Sequence, residues 1–151
     1  MPATDIFSTM KRRNDKIAAV TAYDAPTARF AVEAGADILL VGDSVGVNIL
    51  GYAHEREVTL ADMTHHIAAV RRGAPQAYIM GDLPFASYET PSQARESALR
   101  LTSAGANCIK FEGAKVDILE ALVREQLDVC CHLGLESQHH QIKRRQGKDA
   151  I

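Results

Sequence analysis

Four short apolar runs stand along the chain: IAAVTA at 17–22, ILLVG at 38–42, AYIMG at 77–81 and NCIKF at 107–111. Each is continuous rather than alternating, as expected of strands buried on both faces. A fifth run of the same kind, LDVCCHLG, spans 127–134. The segments between them carry helical periodicity. Thr90-Pro91-Ser92-Gln93 reads as a helix start, with Thr90 as N-cap, Pro91 in the first turn and Gln93 completing a capping box. Ala94, Ala98 and Leu101 then repeat on one face.

Leu60, Met63, Ile67 and Val70 form a second stripe behind Thr59, with Asp62 three residues on from that cap. Asp117 to Gln126 predicts a third helix. AGAD precedes ILLVGD and AGAN precedes CIKFEG, so two helix exits are near copies. Each uses glycine as the stop and leads into a strand with an acid at its end. This is a weak internal repeat of a β/α unit.

Alternating strands and helices imply an α/β fold with a parallel sheet, either doubly wound or closed as a barrel. A complete eight-unit barrel takes about 250 residues, whereas this chain has 151 and room for five strands. At 46% hydrophobic content it supports one core, so residues 1–151 are expected to form a single unit.

With 17 basic and 19 acidic residues the net charge is −2, and aromatics are only 5%. Neither figure suits a nucleic-acid or membrane-surface partner. No apolar run approaches the ~20 residues that span a bilayer, and MPATDIFSTMKRRND lacks a signal peptide's apolar centre. A cytoplasmic location is expected. Cys108, Cys130 and Cys131 suit neither a disulfide framework nor a CxxC metal site and read as small buried residues.

The candidate chemistry lies where strands end. Asp43 follows ILLVG, Asp82 follows AYIMG and Glu112 follows CIKF. In parallel β/α folds those ends share the face on which ligands bind, so the acids should converge. Converging carboxylates repel one another and are costly to desolvate, which a hard cation such as Mg²⁺ would relieve. Lys110, two residues before Glu112, lies on the same face of its strand and could neutralise an anionic substrate or pair with Glu112. The competing reading makes the acids helix caps or solvated loop residues.

Gly42-Asp43-Ser44-Val45-Gly46 also spells the G-x-S-x-G elbow of serine hydrolases. The elbow needs a helix directly after the serine, whereas VNILGYAHE, with its β-branched residues and Gly51, predicts none. Ser44 therefore reads as a hydroxyl or N–H donor to a ligand held by Asp43. His65 and His66 fall within the Leu60–Val70 helix as surface or boundary residues. His132 ends the fifth strand on the candidate face. His139 and His140 sit in the polar stretch SQHHQIKRRQGKD and lack zinc-ligand spacing.

Taken in order, TAYDAPTARFAVEAGADILLVGDSVG, VTLADMTHHIAAVRRGAP, GDLPFASY, GANCIKFEGA and HLGLESQ resemble the ketopantoate (3-methyl-2-oxobutanoate) hydroxymethyltransferase family from about Ile6 to Gln138. The resemblance implies a (β/α)₈ TIM barrel of the phosphoenolpyruvate-mutase and isocitrate-lyase superfamily, of which about five units are present, in a large homo-oligomer. It implies hydroxymethyl transfer from 5,10-methylenetetrahydrofolate to the 2-oxo acid through a Mg²⁺-stabilised enolate, at the first step of pantothenate synthesis. By motif, Asp43, Asp82 and Glu112 fall on metal-site positions. Asp43, Ser44, Asp82 and Lys110 fall on substrate-contacting ones.

The sequence departs from the family pattern at Cys131, Glu136 and Ser137, and a divergent polar tail is expected from about 136 to 151. The family's general-base glutamate belongs to a strand beyond Ile151, and no residue here takes its role. Three readings follow: a shortened transferase, a carbon–carbon lyase of the same superfamily, or a non-catalytic assembly partner of a complete barrel. The lyase reading calls for a cysteine-containing loop that is absent here.

Overall fold

The computed structural model describes residues 3–138. Five strands form one sheet: β1 (Ala19–Thr21), β2 (Ile38–Val41), β3 (Tyr78–Asp82), β4 (Cys108–Glu112) and β5 (Asp128–His132). All neighbours are parallel, and their order is β1-β2-β3-β4-β5. A doubly wound sheet reverses direction at a switch point. This order never reverses, so the sheet is a wall of barrel type, which decides the alternative that periodicity left open.

The connecting helices are α2 (Ala25–Glu33), α3 (Leu60–Gly73), α4 (Pro91–Ala104) and α5 (Val116–Arg124), preceded by α1 (Ala3–Arg13). Right-handed crossovers in an advancing order place the connecting helices on one face of the sheet. On that face Leu39, Val41, Ile79, Ile109 and Phe111 are buried in one core with Met63, Ile67, Leu101 and Leu122 of the helices. The opposite face is only half covered: Leu40, Met80, Lys110 and Cys130 are all half-buried. Strands expected to be sealed on both sides are thus sealed on one, and all of outer strand β1 is exposed. Among the described residues no helix is long and apolar enough to cross a membrane.

Local signals act where the sequence places them. Thr59 caps α3 by accepting from Asp62 N, while an Asp62 carboxylate oxygen accepts from Thr59 N at 2.9 Å, closing the box. Thr90 caps α4. Gln93 differs from expectation: its Oε1 accepts from Glu89 N at 2.9 Å, one residue before the cap, and its Nε2 donates to Ala86 O at 2.8 Å. Ala86 has φ 59°, so the chain turns before the helix and offers Glu89 in place of Thr90.

The AGAD and AGAN exits work alike. Gly35 and Gly105 take left-handed turns with φ 88° and 120°. Asp37 then accepts from Ala18 N at 2.8 Å, and Asn107 from Ile79 N at 2.9 Å. In both, the polar side chain after the glycine stitches the exit to the entrance of the preceding strand. Gly81 serves packing, since a Cβ there would lie 2.6 Å from Ile67 Cδ1. VNILGYAHE, expected to be non-helical, contains a single wide π turn at Gly46–Leu50, which ends where Gly51 turns left-handed.

Candidate metal and substrate site

Asp43, Asp82 and Glu112 reach the same edge of the sheet, and each is at least 95% buried, with exposures of 5%, 3% and 2%. Asp82 is the last residue of β3 and Glu112 the last of β4, while Asp43 lies two residues beyond β2. Asp82 sits beside Lys110 in the strand register. That adjacency puts Lys110 Nζ 2.8 Å from Asp82 Oδ1, so the lysine's intramolecular partner is Asp82 and not Glu112. Despite the ion pair, Asp82 Oδ1 has no well-aligned hydrogen bond. Asp82 Oδ2 accepts from Asp43 N at 3.3 Å.

The electrostatics show the strain of gathering these acids. Burial first, and the neighbouring Asp82 charge second, push Asp43 up from the ordinary 3.8 to about 6. Burial also raises Asp82, against the pull of Lys110. For Lys110 burial, the largest single influence, would lower the value, but the charge and hydrogen bond of Asp82 together with the charges of Asp43 and Glu112 outweigh it, and the ammonium stays protonated. One lysine thus faces a set of acids that still want positive charge.

Glu112 is held apart from the other two. Its Oε2 accepts from Gln138 N at 2.9 Å and its Oε1 from Ser137 Oγ at 3.2 Å, and His132 Nδ1 lies 3.2 Å from Oε1. His132 faces Glu112 directly across the β4–β5 register. Gln138 bridges the acids, because its side-chain Nε2 donates to Asp43 Oδ2 at 2.7 Å. Among the described residues no three His, Cys, Asp or Glu side chains meet closely enough to enclose an ion by themselves. Magnesium seldom needs that: one or two carboxylates suffice, with water and substrate oxygens completing its shell. Asp43 and Asp82, adjacent buried all-oxygen donors with a single lysine to offset their charge, fit such a cation.

Ser44 is not equipped as a nucleophile. A helical turn does begin just after it, but its Oγ bonds to Tyr23 OH at 2.7 Å. His66, the histidine nearest this chain of contacts, spends Nδ1 on the Tyr23 carbonyl at 2.8 Å. His65 is exposed and His66 half-buried. Cys108 is buried, and Cys130 and Cys131 are half-buried free thiols.

Four contributors escaped the pattern reading: Tyr23, Arg56, Tyr88 and Gln138. Gln138 in particular is 1% exposed, whereas a polar tail was expected from about 136. Its burial follows from the carboxylates that it serves. The only advance signal was its place at the end of HLGLESQ. His139 and His140 lie outside the described residues.

The ketopantoate hydroxymethyltransferase family model matches residues 3–150. Relatives named 3-methyl-2-oxobutanoate hydroxymethyltransferase include those of Ignicoccus hospitalis, 48% identical over 84% of this chain and 49% of that protein, and of Geobacillus kaustophilus, 46% identical over 97% and 55%. The chain spans about half the length of the curated relatives it matches. Among solved structures, 2,3-dimethylmalate lyase, a PEP mutase/isocitrate lyase superfamily member, aligns with TM-score 0.64 at 18% identity, over 87% of this chain and 52% of that one. A phosphonopyruvate hydrolase complexed with oxalate and Mg²⁺ aligns with TM-score 0.62 at 12% identity, over 74% and 39%. At such identities the likeness speaks for the fold alone, that of a partial barrel.

Proposed function

Because this chain belongs to the ketopantoate hydroxymethyltransferase family, we propose that it provides the cation and 2-oxo-acid half-site of a transferase. The transferase moves a hydroxymethyl group from 5,10-methylenetetrahydrofolate to 3-methyl-2-oxobutanoate in pantothenate synthesis. The observation that carries this is the buried Asp43–Asp82–Lys110 cluster at the strand ends. Asp43 and Asp82, with Glu112 beside them, would hold Mg²⁺. When bound, Mg²⁺ would supply a Lewis acid that draws charge from the keto oxygen and eases loss of the C3 proton to solvent water.

The chain's own residues bind and orient. Lys110, already protonated and half-buried, turns its ammonium to the substrate carboxylate, a point charge on a flexible stem. Ser44 donates to the same carboxylate. Tyr23 helps by donating its own proton to Ser44 Oγ, which commits the serine's proton to the substrate. On this reading the protein acts in the cytoplasm, as a homo-oligomer with small-molecule partners.

The test is loss of the C3 proton of 3-methyl-2-oxobutanoate in D₂O, followed by NMR with and without Mg²⁺. Mg²⁺-dependent exchange that disappears in Asp43→Asn is the expected result. No exchange from a chain folded by circular dichroism would refute an enzyme working on its own half-site.

A further inference from the structure

Gln138 uses every polar atom it has, and none of the steps above requires it. Its Nε2 donates to Asp43 Oδ2 at 2.7 Å and to Leu83 O at 3.0 Å. Its Oε1 accepts from Tyr88 OH, its backbone N donates to Glu112 Oε2 at 2.9 Å, and its carbonyl accepts from Arg56 Nε. These partners belong to the loops after β2 and β3 and to the end of β4, while Gln138 itself follows β5. One residue therefore ties together the ligand-facing ends of four successive strands.

The amide's orientation is determined by chemistry. An ionised Asp43 and the Leu83 carbonyl only accept, so the NH₂ end must face them, and Oε1 is left for the Tyr88 hydroxyl. Arg56 also stacks on Phe85, 4.6 Å from the ring centre, so the carbonyl end of Gln138 is gripped by a side chain that is itself anchored. A carboxylate that ligates a metal is commonly held in this way by an outer hydrogen bond, which sets its rotamer and the direction of its remaining lone pairs.

We propose that Gln138 is a positioning residue for a divalent cation: it claims one oxygen of Asp43, leaves the other to the metal, and sets the separation between Asp43 and Glu112. This rests on the cation reading given above. It extends that reading to a residue beyond β5, and it makes Tyr88 the residue that holds the amide in register.

The experiment titrates the full chain with Mn²⁺ alone and reads free Mn²⁺ by electron paramagnetic resonance, for the native protein, Gln138→Leu and Tyr88→Phe. Gln138→Leu should weaken Mn²⁺ binding by about 10–100-fold, and Tyr88→Phe, which keeps the amide, by about threefold or more. Urea midpoints are measured alongside, because a merely structural role would lower the midpoint and leave Mn²⁺ affinity alone. That pattern would overturn the proposal. Should Gln138→Leu not fold, Tyr88→Phe decides, and unchanged affinity there overturns it equally. A native chain that binds no Mn²⁺ would sink the cation reading along with this one, whereas native binding with unaltered variants sinks this one only.

Discussion

Asp43→Asn should stabilise the metal-free chain while removing its cation site. The buried Asp43 carboxyl is displaced on folding from 3.8 to about 6, first by burial and then by Asp82. At ~1.4 kcal/mol per pH unit, ionising it inside the fold costs about 3 kcal/mol at neutral pH. Because the folded value is the raised one, its favourable contribution is complete below 3.8 and is lost as the pH climbs through about 6. Asparagine keeps the shape and an oxygen for Gln138 Nε2, yet carries no charge to lose. Urea unfolding in EDTA at pH 7.5 should show the variant more stable by about 1–3 kcal/mol, with the gap closing towards pH 4.5. Added Mg²⁺ at ~100 times its Kd should stabilise the native chain by about 2.7 kcal/mol and leave the variant unmoved. A variant less stable than native in EDTA, or a gap independent of pH, would refute the account of these acids as a strained set awaiting positive charge.

Gly81→Ala, whose Cβ would lie 2.6 Å from Ile67 Cδ1, should cost about 1–3 kcal/mol by urea denaturation. Ile67→Val removes that methyl, so the double variant should lose less than the sum of the two single ones, and strict additivity would contradict the contact. Thr59→Ala breaks the box with Asp62 and should cost about 1 kcal/mol, read as a lower thermal midpoint. Cys108, 4% exposed and with its thiol pushed up to about 12 by burial, remains a thiol at pH 8. Alkylation of the native chain followed by peptide mass mapping should find Cys130 and Cys131 modified well before Cys108, and equal rates would show that β4 opens.

The strands were legible because apolar runs alternate with helical segments along the chain, although those runs overstated how far both faces are covered. The shift of β3 by one residue, to end on Asp82, does not alter the face on which that acid stands. α3 and α4 were legible through their caps. Helix α1 was not, because its apolar positions Ile6, Phe7 and Met10 make only a short stripe that stops at the basic run Lys11-Arg12-Arg13. It is docked by tertiary contact, with Phe7 edge-on to Tyr78 at 4.8 Å between ring centres. The π turn after Ser44 escaped for a related reason: β-branched residues disfavour a helix only weakly, and here Gly46 is tight against Val58, 2.5 Å from an added Cβ.

By itself the sequence determined which residues stand at strand ends and on which face. Period-two alternation and the position of each acid after an apolar run are local properties that survive whatever the strands later pair with. That is why Asp43, Asp82, Lys110 and Glu112 could be named before any contact was known. Tertiary structure alone decided the partners. Whether Lys110 meets Asp82 or Glu112 depends on inter-strand register, and whether the sheet winds one way or doubles back depends on strand order. Gln138 meets Asp43 across 95 positions of chain. No local pattern encodes a contact of that separation, because it exists only once four strand ends have been brought to one edge and the buried charge there needs a donor.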